Sequence, residues 1–183
     1  EHRFRGWLGR LDAQVAEQNA SVRVGDDRGD ALCANDCNTS EVELDPELPI
    51  AHKLYAHHES EMGHAREAMV RLLGLARSTR NDPEIFAALV HACRYCGLNE
   101  ASIAAHGEAR RLDPNVPTSL QQTLLMAGDV DHAVEVLQSM PQGGATGYQR
   151  EYLLMLALLR KGENDKAVAE AKGESVREVT AVV

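Results

Sequence analysis

The chain has 183 residues, 44% hydrophobic and 26% charged, which suits one soluble domain with a real core. Its formal net charge is −9, and an acidic surface repels phosphate backbones, so nucleic acid is excluded as an expected partner. No apolar run reaches the roughly 20 residues that span a bilayer, so no membrane span is expected.

Aromatic residues make up 4% of the chain, while Ala, Leu, Glu and Arg are common, so helix is favoured over strand. The first residues are Glu1-His2-Arg3-Phe4, with no initiator Met and no signal-peptide core, which reads as a piece of a longer protein. An amphipathic helix is expected near Phe4–Gln18. The polar run Gly25-Asp26-Asp27-Arg28-Gly29-Asp30 follows, and residues 1–45 read as that helix with either a degenerate repeat or a loop. Asp26, Asp27 and Asp30 do not follow the spacing of a calcium loop. The sequons at Asn19 and Asn38 and the tripeptide Arg28-Gly29-Asp30 are chance matches in a chain whose cysteines do not form a secreted framework. A reducing cytoplasm is the expected compartment.

From Pro46 onward the chain repeats. Pro49, Pro83 and Pro117 are spaced by 34 and 34, Gly63 and Gly97 by 34, and Gly128 and Gly162 by 34. Gly97 and Gly128 are 31 apart, so one period is three residues short. Residues 83–116 show the unit most clearly. Asp82 caps a helix that opens on Pro83, and Phe86, Leu89, Val90 and Cys93 follow at helical spacing. Gly97 ends that helix. Asn99 is placed to cap a second helix bearing Ala101, Ile103, Ala105 and Ala109, and Leu112-Asp113-Pro114 closes it. Small residues stand five after each turn glycine: Ala68, Ser102, Ala133 and Ala167. In the third unit, first helix roughly Thr118–Ala127, Leu120 and Leu124 stay in phase with Leu154 and Leu158, so the lost residues come from the start of that helix. The tail, residues 173–183, reads as a frayed or truncated capping helix.

The unit from Pro83 to Val116 resembles a tetratricopeptide repeat (TPR), a family whose period is 34 residues. It departs from the pattern at Val90, where Gly or Ala is usual, and at Ser102, where Ala is usual. The resemblance covers roughly 46–172, about four repeats. It implies an all-α, right-handed α-solenoid of stacked antiparallel helix hairpins, with the first helices lining a concave groove. It implies a scaffold, adaptor or regulatory module that binds a protein or peptide. Family members that grip a C-terminal carboxylate use a Lys and two Asn; Lys53 is present, but His57 and Ala88 stand where Asn is required. Residues 90–119 are also similar to repeats appended to bacterial nucleotide cyclases and Ser/Thr kinases, which would imply an upstream catalytic domain of the same parent chain.

On the faces that packing leaves open, the expected partner-binding residues are Lys53, His57, Glu61, His91, Arg94, Tyr95, Gln122, Tyr152 and Arg160. Arg and Tyr are favoured at binding hot spots, a partner with acidic or hydroxyl groups would suit the face, and neither Arg94 nor Tyr152 is expected to be fully buried. The alternative is a small-molecule or metal sensor, for zinc or nickel, using the His- and Cys-rich first repeats: His52, His57, His58, His64 and His91 with Glu59 and Glu61, and Cys33, Cys37, Cys93 and Cys96. The expected metal and cofactor content is nonetheless none. Cys93-Arg94-Tyr95-Cys96 has redox spacing but lies at a helix C-terminus, where the dipole disfavours a thiolate. There is no Gly-rich phosphate loop, Gly-x-Ser-x-Gly or His-Glu-x-x-His, so no enzyme is expected.

Overall fold

The computed structural model describes Gly9 and residues 48–79, 81–141 and 144–172, the side chains of 144–148 excepted. The expectations for the N-terminal helix, the Asp26–Asp30 run, the two sequons, Cys33, Cys37 and the tail lie outside these residues. From Leu48 on, the described residues form eight α-helices and no strand. They are α1 (Pro49–Glu61), α2 (Ala65–Ser78), α3 (Pro83–Tyr95), α4 (Asn99–Leu112), α5 (Leu120–Ala127), α6 (Val130–Ser139), α7 (Gly144–Arg160) and α8 (Asn164–Ala171). The chain divides into two compact units, Glu1–Thr118 and Ser119–Val183, each with its own apolar core.

Glycine dictates where the helices turn. Gly63, Gly97, Gly128 and Gly162 have φ of +92°, +73°, +84° and +76°, a left-handed conformation that costs any residue with a Cβ. Each closes the same motif. The N–H of Leu98 donates to the Cys93 carbonyl at 2.9 Å, and the N–H of Gly97 donates to Arg94 at 2.9 Å. His64 and Gly63 donate to Glu59 and Ser60, Asp129 and Gly128 to Leu124 and Leu125, and Glu163 and Gly162 to Leu158 and Leu159. This paired closure satisfies the last carbonyls of a helix and reverses the chain at once. Nothing lies within 4 Å of a Cβ built on Gly97, so a side chain there has room and only the backbone objects. Gly97→Ala is accordingly expected to cost about 1–2 kcal/mol in chemical denaturation, with no change in packing. A neutral or stabilising result would contradict it.

The small residues five positions on are all buried: Ala68, Ser102, Ala133 and Ala167. They let paired helices approach closely, and the departure at Ser102 has a local use, because its Oγ donates to the Val90 carbonyl across the α3/α4 turn at 2.6 Å. Phe86, Leu89, Val90 and Cys93 are buried along α3 as their spacing predicts. The Asp82 side chain accepts from the Glu84 N–H at 2.9 Å and so caps α3. Two details of α4 differ from expectation. Leu98, not Asn99, is its N-cap, because the Leu98 carbonyl already accepts from Ser102 and starts the helix one residue earlier. Ile103 is exposed, and the buried stripe is Ala101, Ser102, Ala105 and Ala109.

Within the first unit α1 packs on α2 and α3, α2 on α3, and α3 on α4; within the second, α5 packs on α6 and α7, α6 on α7, and α7 on α8. Helix α5 has 8 residues where α1 and α3 have 13, five fewer, so it is shorter than the three-residue contraction of the period alone requires. It still buries Leu120 and Leu124 with Leu154 and Leu158. A helix this short has few internal bonds and a small buried face. Amide exchange is therefore expected to be faster in α5 than in α3. Equal or slower exchange in α5 would remove the idea that the shortened helix is the least protected.

Candidate functional site

The expected binding residues of the first unit lie on α1 and α3, which pack together, and two of the six, His91 and Arg94, are buried. His57 on α1 and His91 on α3 stack face to face, ring centroids 4.0 Å apart and 21° from parallel. Tyr95, one turn beyond His91, continues the stack at 4.6 Å. Their proximity follows from the repeat: the two histidines occupy the same place one period apart, so packed first helices bring them together. Arg94, expected on the open face, is 3% exposed, and His91 is 7% exposed. The reason lies in their bonding: Arg94 Nη2 donates to Nδ1 of His91 at 2.9 Å, and its guanidinium carbon sits 5.5 Å from the Tyr95 ring centroid. A long arginine can fold back onto its own helix where a short cation could not. Lys53 is also engaged, with Nζ 2.7 Å from Oε2 of Glu84. Glu61 is exposed at the end of α1, and the Tyr95 ring is 48% exposed.

Burial keeps both histidines neutral. It is the main cause holding His57 down at about 4, with the charges of Lys53 and Arg94 adding to it and Glu84 opposing. Burial likewise takes His91 down to about 3, helped by His57 and Arg94. The Nε2 atoms of both rings are buried and make no hydrogen bond. A buried unpaired donor or acceptor costs about 1–3 kcal/mol, so the α1/α3 contact carries two such costs.

Beside this stack, on α1 and α2, Arg71 forms an ion pair with Glu59. Its Nη1 lies 3.3 Å from Nδ1 of His52, and its guanidinium carbon lies 4.6 Å above the Tyr55 ring. The Cys93-x-x-Cys96 pair has the opposite of redox character. Burial raises the thiol pKa of Cys93, which is fully enclosed, and of Cys96. Among the described residues no three His, Cys, Asp or Glu side chains converge as metal ligands. The stack itself is a poor chelate, since nearly parallel rings direct their nitrogen lone pairs along parallel planes.

In the second unit, α7 exposes Tyr152 (51%) and Leu159, with Leu156 partly buried between them. Arg160 is exposed, yet its Nη1 donates to the Leu125 carbonyl at 2.6 Å, tying α7 to the C-terminal end of α5. Gln122 is partly buried on α5. One buried group has no sequence signal at all: Arg150 on α7, whose Nε donates to the Leu137 carbonyl at 2.9 Å and whose Nη1 lies 3.2 Å from Glu170 Oε1.

No protein-family model matches the sequence, and no curated protein matches it. The residues and their geometry are therefore what the functional reading stands on.

Proposed function

We propose that this chain is a non-catalytic helical-repeat module of the tetratricopeptide type, a scaffold or adaptor that holds a protein or peptide on the open faces of its first helices. The observation that carries the reading is the pair of half-exposed tyrosines, Tyr95 on α3 and Tyr152 on α7, each on a helix whose other side is packed. Tyrosine gives a large, rigid contact area with a directional hydroxyl, and it is enriched at binding hot spots. Four identical glycine turns, each followed five residues later by a buried small residue, support the repeat assignment.

The recognition set is narrower than the composition suggests. Arg94 and His91 support Tyr95 from beneath, and Lys53 is held by Glu84, so in the unit Glu1–Thr118 the first contacts fall to Tyr95, and in the unit Ser119–Val183, taken by itself, to Tyr152 and Leu159. The test is Tyr95→Ala with Tyr152→Ala on a partner recovered from native lysate. Both rings are half exposed, so stability is expected to fall by less than about 1 kcal/mol. Affinity is expected to fall at least about tenfold, which is about 1.4 kcal/mol. A folded double variant that binds as the parent does would refute the assignment.

A further inference from the structure

We propose that His91 is a hydrogen-bond donor site for an uncharged carbonyl oxygen, and that a main-chain carbonyl of an extended peptide accepts from its Nε2–H beside the ring of Tyr95. The inference rests on the peptide-binding reading above and adds the chemical group that is recognised.

Arg94 sets the tautomer of His91. A guanidinium carries only donors, so the 2.9 Å contact from Arg94 makes Nδ1 of His91 the acceptor. In a neutral imidazole the proton is then on Nε2. That N–H is buried in a side chain 7% exposed, and it has no partner. Folded proteins pair nearly all such groups, so an unpaired buried donor marks a place where an acceptor belongs.

The surroundings select which acceptor. A metal ion needs the lone pair at Nε2, but that atom carries the proton, and the Arg94 cation would oppose a second positive charge. A carboxylate would bring a charge to a place where charges are already matched. On α1 Lys53 is paired with Glu84 of α3 at 2.7 Å, and the Glu61 carboxylate acts on Arg94. A carbonyl oxygen brings no net charge and needs none in return. The solvent-facing neighbour of this donor is Tyr95, whose ring stacks on His91 at 4.6 Å and is 48% exposed.

The test uses the full chain labelled with 15N-histidine, observed by long-range 1H–15N correlation at pH 7. The parent chain is expected to show His91 with an unprotonated Nδ1 and a protonated Nε2. Titration with the uncharged peptide acetyl-(Ser-Ala)3-amide is expected to move the His91 Nε2 signal saturably. His91→Phe, which keeps the stack and removes the donor, is expected to weaken that peptide at least fivefold, whereas His91→Gln, which keeps an N–H, should bind within about twofold of the parent. If His91→Phe does not fold, the tautomer and the parent titration decide. A proton on Nδ1, an unchanged Kd in a folded His91→Phe, or tighter binding at His91 by a glutamate peptide of equal length would overturn the proposal. If the uncharged peptide leaves His91 unmoved while the partner captured through Tyr95 and Tyr152 still binds, this inference fails and the interaction-module reading stands. Loss of both removes both.

Discussion

Arg150→Met is expected to destabilise the unit Ser119–Val183 by about 3–5 kcal/mol. The side chains of Arg150 and Glu170 are only 5% and 7% exposed, and they are 3.2 Å apart. Removing the guanidinium takes the Arg150 ion pair from the buried Glu170 carboxylate and frees the Leu137 carbonyl that accepts from Arg150 Nε. Three helices, α6, α7 and α8, lose a shared joint at once. The double variant Arg150→Met with Glu170→Leu should recover most of the loss, because a well-packed apolar pair avoids the cost of desolvating two charges. Urea denaturation followed by far-ultraviolet circular dichroism measures both. A loss below about 1 kcal/mol in the single variant would mean that the ion pair does not organise this unit.

Acid is expected to weaken the first unit well before most proteins suffer. His57 and His91 fold with pKa values lowered from 6.5 to about 4 and about 3. The native state therefore binds fewer protons than the unfolded chain between these limits, and stability falls as pH falls. Above pH 6.5 both states are neutral at these rings and nothing is lost. From there down to about 4 the loss grows, and below about 3 it levels off as the folded rings protonate too. Each tenfold weakening of proton binding on folding corresponds to about 1.4 kcal/mol. The pair together contributes on the order of 4 kcal/mol, part of the effect being screened by solvent at the half-buried His57. The urea midpoint should fall steeply between pH 6.5 and 4.5. Acid acts on every ion pair, so the comparison that isolates the stack is His57→Phe with His91→Phe, whose midpoint should be nearly flat across this window. A parallel decline in parent and double variant would dismiss the histidines as its cause.

The parts of this fold that are legible in the sequence are those where backbone geometry restricts composition. A left-handed turn residue is nearly always glycine, so Gly63, Gly97, Gly128 and Gly162 mark the helix ends directly. Close helix approach demands small side chains, so Ala68, Ser102, Ala133 and Ala167 can be placed. The shared register of His57 and His91, 34 residues apart, is legible too, but that their rings stack is not. The direction of long polar side chains does not. Arg94 sits at the correct helical phase to face outward, yet its flexible stem returns it to His91, and nothing in residue spacing distinguishes the two outcomes. Arg150 and Glu170 are 20 residues apart on different helices, and a buried ion pair has the same composition as an exposed one. Asn99 has the composition of a cap, yet Leu98 fills that role, because helix starts depend on backbone bonds that a preference for Asn cannot locate to one residue.

The packing order within each unit has a kinetic meaning. Every principal partner of a helix is the next helix along the chain or the next but one. Little loop entropy has to be spent before a contact is rewarded, and topologies of this kind fall at the fast end of folding rates. Each pair of successive packed helices can form as soon as its second helix has left the ribosome, and it then offers a finished surface to the helices that follow. Synthesis and folding thus proceed in the same direction, and among the described residues no helix waits for a distant segment before it can bury its apolar face.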